Sequence, residues 1–182
     1  MSNYIILVVV ILVLCYLVVT YNKAVGLRNY VREAFSTMDV YLKKRWDLVP
    51  NLVECVKAYA EHEKGVFAGV TDLRTRSYDS LSQNEKLNVN EQLGAAIPKL
   101  IAVAENYPEL KANENFTHLM QELSKIEEDI ANARKYYNGT VRELNTFLEI
   151  FPSNIVGKVF GFKTERMFEI GSEQRENVKV DF

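Results

Sequence analysis

Residues 5–19 read IILVVVILVLCYLVV, with no charge, glycine or proline, and Tyr4, Thr20 and Tyr21 extend the run with amphipathic side chains. At 1.5 Å of rise per residue, a helix over 4–21 covers about 27 Å, close to the hydrocarbon thickness of a bilayer. Tyr4 and Tyr21 stand at its two ends, where rings with a polar tip favour the headgroup region. The stretch therefore predicts a transmembrane helix, and the fold is read outward from it.

Three other readings are weaker. A cleaved signal peptide needs a basic start and a small-residue cleavage site, whereas Met1-Ser2-Asn3 carries no basic side chain and no A-x-A follows. Acylation of Cys15 as a lipoprotein is disfavoured by the large Leu14 before it, so Cys15 reads as membrane-buried filler. A buried core helix fits poorly with a place at the chain terminus. Orientation follows from charge: Lys23, Arg28 and Arg32 come directly after the span and Lys43, Lys44 and Arg45 later, with nothing basic before it except the α-amino group. The positive-inside bias predicts an outside terminus at 1–3, the span at 4–21 and the rest in the cytoplasm. Lys23, Arg28 and Arg32 are candidates for contact with anionic lipid headgroups, Arg28 and Arg32 sharing one helix face; a solvated basic face is the plainer alternative.

The whole chain has 182 residues, a formal net charge of -2 and only two cysteines, Cys15 and Cys55. About 160 residues follow the span, enough for one ordinary domain. No basic excess draws nucleic acid, and no disulfide framework is available.

Beyond Tyr21-Asn22 the apolar residues Val25, Val31, Phe35, Met38, Leu42 and Trp46 form one helical stripe, with no Gly- or Pro-rich linker before it. The membrane helix is predicted to run straight into the first domain helix, with Gly26 as its weakest point. A kink or break is predicted at Pro50, where Asp47 or a neighbour caps a second helix carrying Leu52, Val53, Val56, Tyr59, Ala60, Val66, Phe67, Val70 and Leu73. Residues 77–84 suit a loop. A third helix is predicted from about Glu85 to Asn106, flawed by Pro98, with a turn at Asn106-Tyr107-Pro108. The fourth and longest carries a stripe from Phe116 to Phe151 stepping by three or four; its periodicity outweighs the turn signal of Asn138-Gly139. Pro152 ends it, and a short apolar segment, 155–162, follows. Four apolar stripes joined by short connections predict an all-α fold: the transmembrane helix, then an antiparallel four-helix up-and-down bundle over 22–152 and a C-terminal segment at 153–182.

Many ordered matches then tie the chain to a known family. They include Tyr21-Asn22, Leu27-Arg28, Ala34-Phe35-Ser36, Asp39-Val40, the block from Arg45 to Val53 (RWDLVPNLV), Val56-Lys57 and Tyr59-Ala60-Glu61-His62-Glu63. Farther on stand Glu105 to Ala112 (ENYPELKA), Ala133-Arg134, Tyr136-Tyr137-Asn138, Val141, Asn145, Phe151-Pro152 and Phe160-Gly161-Phe162. In these residues the sequence resembles the LemA family over nearly its whole length. Departures are Cys55 in place of an expected Thr, Trp46 where smaller or other aromatic residues are usual, and Gly139, which puts the straightness of the last helix in doubt. The resemblance implies a single N-terminal membrane helix, a small outside terminus, a cytoplasmic helical bundle at the bacterial inner membrane, and no established molecular activity.

Chemistry-bearing constellations are sparse. His62 lies between Glu61 and Glu63, but adjacent helical residues diverge by about 100° and do not converge on one ion. His118 with Glu114 is a single i, i+4 pair, more often a surface contact than a metal site. Glu127-Glu128-Asp129 reads as a solvated face, and no nucleophile elbow, Cys-His setting or phosphate loop is present. No enzyme, cofactor or metal is expected. A polar stripe of Glu127, Arg134, Asn138 and Asn145 flanks the apolar line of the last helix. The plainer reading is a solvent-facing stripe with incidental ion pairs; the sharper one is a polar layer that sets register or an interface, with Arg45, Asp47 and Asn51 as its partners. Phe160, Phe162 and Phe168 either fold back on the bundle or contact a neighbouring protomer. The expected function is a membrane-anchored scaffold that forms homo-oligomers on the lipid bilayer; the alternative is an adaptor for another membrane protein, such as a protease.

Overall fold

The structure, a computed structural model, describes residues 1–60, 67 and 77–168. Every regular element among them is helical. Helix α1 (Ser2–Lys57) is followed by a 3-10 turn (Tyr78–Ser80), α2 (Gln83–Glu105), α3 (Pro108–Lys111), α4 (Glu114–Glu149) and α5 (Ser153–Val159).

The first helix is 56 residues long and passes through Tyr21, Asn22 and Gly26 without interruption. Its opening part is long and apolar enough to cross a membrane, and nearly all of that part is exposed. Burial begins at Leu17 and Thr20 and then follows one line: Ala24, Leu27, Val31, Ala34, Met38, Leu42, Arg45, Val49, Leu52 and Val56. Those steps of three and four form a heptad seam. The sequence stripe ran beside it, for Val25 and Phe35 are only half-buried, because small residues (Thr20, Ala24, Ala34) take the inward positions.

Of the kink or break predicted at Pro50, the break does not occur. Pro50 lies inside α1, which continues to Lys57. An interior proline costs about 3 kcal/mol, but burial of Leu48, Val49, Leu52 and Val53 on both sides of it offsets this at about 1.5–3 kcal/mol per side chain. The expected second helix therefore begins as part of the first. Of its stripe, Tyr59 is half-buried, Ala60 is buried, and Phe67 is helical and buried; Val66, Val70 and Leu73 lie outside the described residues.

The remaining expectations fare better. Helix α2 starts two residues before the predicted Glu85 because Ser82 and Glu85 form a capping box: the Ser82 hydroxyl accepts from the Glu85 amide, and the Glu85 carboxylate accepts from the Ser82 amide at 2.9 Å. Pro98 is accommodated within it. Pro108 opens α3 at its first turn, where its missing N–H costs nothing. Helix α4 runs unbroken through Asn138-Gly139, as its periodicity predicts.

The contacts of the chain fall into two compact units. The first joins Met1–Thr37 to Ala133–Met167; the second comprises Met38–Asn132 and, at the end of the described residues, Phe168. In the first unit α5 packs Ser153, Val156 and Gly157 inward, and Gly157 permits the approach, since a Cβ there would come within 2.9 Å of Leu148 Cδ2 on α4. The core of the second unit includes Met38, Leu42, Trp46, Leu87, Leu93, Leu100, Leu110, Leu123 and Ile130.

Candidate functional site

The second unit holds a buried polar network. Arg45 occupies a seam position of α1 and is 3% exposed. Its Nη1 donates to both carboxylate oxygens of Glu127 on α4, at 3.0 and 3.1 Å. Its Nη2 donates to the main-chain carbonyl of Asn90 on α2 at 2.7 Å and to Asn90 Oδ1 at 3.0 Å. The Asn90 amide donates onward to the Lys86 carbonyl at 2.9 Å and reaches the Tyr78 hydroxyl at 3.4 Å. Tyr78 donates to Asp39 Oδ1 at 2.7 Å, and Lys86 Nζ closes on Asp39 Oδ2 at 2.6 Å. One chain of bonds thus joins α1, the 3-10 turn, α2 and α4.

The network is arranged to hold helices together. A buried guanidinium is tolerable only when its donors are matched, and here the fork meets a carboxylate on one side and an amide on the other. Burial, reinforced by hydrogen bonding to and the charge of Asp39, pushes the Tyr78 hydroxyl far above the usual tyrosine range, so it remains a proton donor. Its ring lies 5.5 Å from that of Trp46 and has Lys86 Nζ 4.8 Å from its centroid. Half-buried Cys55 has its thiol pushed up by burial, which leaves little thiolate for nucleophilic work. Among the described residues no group of three His, Cys, Asp or Glu side chains is placed to hold a metal ion. His118 pairs with Glu122 at 3.9 Å instead of with Glu114, both side chains exposed. Glu61, His62 and Glu63 lie outside the described residues.

The first unit carries a different cluster, at the end of the apolar span. The Tyr21 ring meets those of Phe160 and Phe162 at 4.9 and 5.7 Å. The Arg28 guanidinium lies 5.2 Å over Phe162, and Lys23 Nζ lies 5.3 Å over Phe147. Two groups of α4 pin the segment after α5. Asn145 exchanges a reciprocal pair of 2.9 Å bonds with the backbone of Glu165, and Tyr137 donates to the carbonyl of Arg166 at 2.8 Å.

Comparison with known proteins adds the family to this geometry. The LemA family profile matches residues 34–182. The chain belongs to the LemA family. Among relatives, the magnetosome protein MamQ 2 of Paramagnetospirillum magneticum is 25% identical over 179 residues, covering 84% of this chain and 66% of that protein. Magnetosome protein MamQ of Magnetospirillum gryphiswaldense is 23% identical, covering 84% and 65%. Protein LemA of Metamycoplasma hominis is 20% identical over 158 residues, covering 86% of this chain and 72% of its own. This LemA-family chain thus spans a little under two thirds of the length of its MamQ relatives.

Of the residues singled out in the sequence, Arg45 and Glu127 meet directly. Asp47 is exposed and pairs with Lys43 one turn back, and Asn51 is exposed. Arg134 and Asn138 are half-buried on α4, while Asn145 serves the first unit by holding Glu165. Phe162 and Phe168 take the folded-back course, half-buried and buried respectively; Phe160 touches Tyr21 yet stays half exposed. Lys23 and Arg28 lie over aromatic rings, and Arg32 is exposed. Sequence reasoning missed Asp39, Tyr78, Lys86 and Asn90. A signal existed for Asn90, which falls three residues after Leu87 and three before Leu93, on the buried face of α2. None marked Tyr78, in a stretch that reads as a polar loop.

Proposed function

We propose that this LemA-family protein is a non-enzymatic scaffold, a helical domain fixed to the bilayer by the start of α1 and assembled with copies of itself in the membrane plane. The observation that carries the reading is the change in burial along one helix. From residue 4 to 16 its Ile, Val, Leu and Tyr side chains are exposed on every face, and from Thr20 the same helix turns a line of residues into protein. An exposed sheath of branched aliphatic side chains needs hydrocarbon for its solvent, and no linker separates it from the packed part. Lys23, Arg28 and Arg32 after the span favour the cytoplasmic face of a bacterial inner membrane, N-terminus outside. The heptad spacing of α1 and α4 suits an antiparallel up-and-down bundle with coiled-coil-like packing, and the chemistry of the Arg45 network suits a register device. Confinement to a plane raises the effective concentration of each copy, so that weak faces suffice for assembly.

The test is extraction and sizing. The full chain is expected to stay with membranes in alkaline carbonate, to leave them in mild detergent, and to run there as a homo-oligomer. Monomer alone at all concentrations overturns self-assembly, and a distinct protein recovered in stoichiometric amount points to the adaptor role instead.

A further inference from the structure

The outer face of α5 is apolar where a water-facing helix would be polar. Ser153, Val156 and Gly157 are its inward residues. Phe151 just before it is 78% exposed, and Ile155, Val159 and Phe160 are 52%, 73% and 52% exposed. Phe151, Ile155 and Val159 recur every four residues and make one stripe, continued by Phe160. The polar members of this outer side are Lys158 and, beyond the turn, Lys163, both exposed and basic. Exposed apolar stripes of this kind mark a surface that meets something other than water.

The position of the stripe says what it meets. Phe160 and Phe162, at the end of α5, pack on Tyr21, which closes the apolar span. Burial of α1 starts inside that span, at Leu17 and Thr20, so protein packs against the last turn before the headgroup region. Lys23, about 3 Å farther along the axis, lies over Phe147 near the end of α4. The turn from α4 into α5 thus stands level with the mouth of the span. An apolar edge flanked by lysines at that depth is the composition of an interfacial helix, whose aliphatic side enters the boundary of headgroup and acyl chain while its lysines meet anionic lipid.

We propose that α5 and the turn before it form a second lipid contact: Phe151, Ile155, Val159 and Phe160 insert into the membrane interface beside the anchor, with Lys158 and Lys163 on acidic headgroups. The occupant of the exposed face is lipid, not a second copy of the chain. The proposal rests on the reading of residues 4–21 as a membrane span.

Depth-resolved quenching tests both separately. The full chain is reconstituted at high lipid excess in vesicles of phosphatidylcholine with a minor share of phosphatidylglycerol, the acyl chains brominated either near the headgroup or near the bilayer centre. Trp46, buried in the second unit, serves as internal reference. Val159→Trp, at an exposed position that leaves the packing intact, should lose about half of its added emission to shallow bromine and distinctly less to deep bromine; Ile155→Trp reports a second point on the face. Val10→Trp should instead be quenched most by deep bromine. If Val10→Trp is quenched and Val159→Trp is not, the interfacial contact is overturned and the anchor stands. If neither is quenched, both fall. Emission of Val159→Trp that is insensitive to bromine but shifts with protein density assigns the face to a second copy and overturns the proposal.

Discussion

At the scale of single residues, Gly161 and Tyr78 show how local chemistry is fixed by surroundings. Gly161 has φ +71°, and the turn it makes satisfies two carbonyls of α5: the Phe162 amide donates to the Gly157 carbonyl at 2.9 Å and the Gly161 amide to the Lys158 carbonyl at 3.3 Å. This is a Schellman ending, and it directs Phe162 back toward Tyr21 and Arg28. Gly161→Ala should cost about 1–2 kcal/mol, because a Cβ in the left-handed region crowds the following carbonyl; a urea midpoint that does not move would count against this role. Tyr78 makes a prediction in pH. Its hydroxyl is held protonated in the fold, whereas in the unfolded chain it titrates near pH 10. Below that pH its contribution to stability is complete. Above it the unfolded state loses a proton that the folded state keeps, so stability falls as pH rises, by up to about 1.4 kcal/mol per pH unit. Thermal melts from neutral to strongly alkaline pH should show this slope reduced in Tyr78→Phe.

At the scale of elements, two features decide how helices are held in place. Arg45 on α1 ties α2 and α4 together within the second unit. Replacing it with Ala strands the Asn90 side-chain carbonyl and removes the partner of Glu127, a loss of about 3 kcal/mol, discounted from the fully buried range because the Glu127 side chain is 40% exposed. Arg45→Met, which keeps the volume, should recover part of that loss. An equal loss in both variants would show that packing, not the polar match, is what Arg45 supplies. In the first unit the Asn145 amide behaves as an extra rung, giving one bond and taking one from Glu165. Asn145→Ala should release the segment after α5 from α4, with faster amide exchange at Glu165 and a cost of about 1–3 kcal/mol; unchanged exchange at Glu165 would sink the tether.

At the scale of the whole molecule, the expected behaviour is that of a protein defined by its lipid surroundings. The apolar start of α1 should keep the chain with the bilayer, and the basic residues after the span should keep the domain inside. Labelling with an impermeant maleimide distinguishes the two sides. A cysteine substituted at Ser2 should react on intact cells, while one at exposed Thr146 should react only after lysis; the reverse pattern overturns the orientation. Recovery in native lipid discs should yield homo-oligomers, and a monomer in every disc would leave α1 as an anchor without assembly.

What the sequence determined by itself is the class of the molecule: one apolar run of bilayer length, helices with period near three and a half, proline at the Tyr107 turn, and the family. The first three are local properties of composition and spacing, and the family is carried by the ordered motif residues. It also brought Arg45 and Glu127 to notice as candidate partners, Glu127 from the polar stripe that flanks the apolar line of the last helix and Arg45 from the polar residues near Pro50. It misplaced the boundary at Pro50, since a proline's local cost says nothing of the burial on both sides that outweighs it. It could not assign Tyr78, Asp39 and Lys86 to one network, nor decide that Asn145 faces Glu165 instead of the Arg45 group, because such partners lie far apart along the chain and meet only when helices pack. The apolar run was plain from the start. That its last turn is packed by protein, with α5 beside it, was decided by tertiary structure alone, because only folding carries residues 147–162 back to Tyr21.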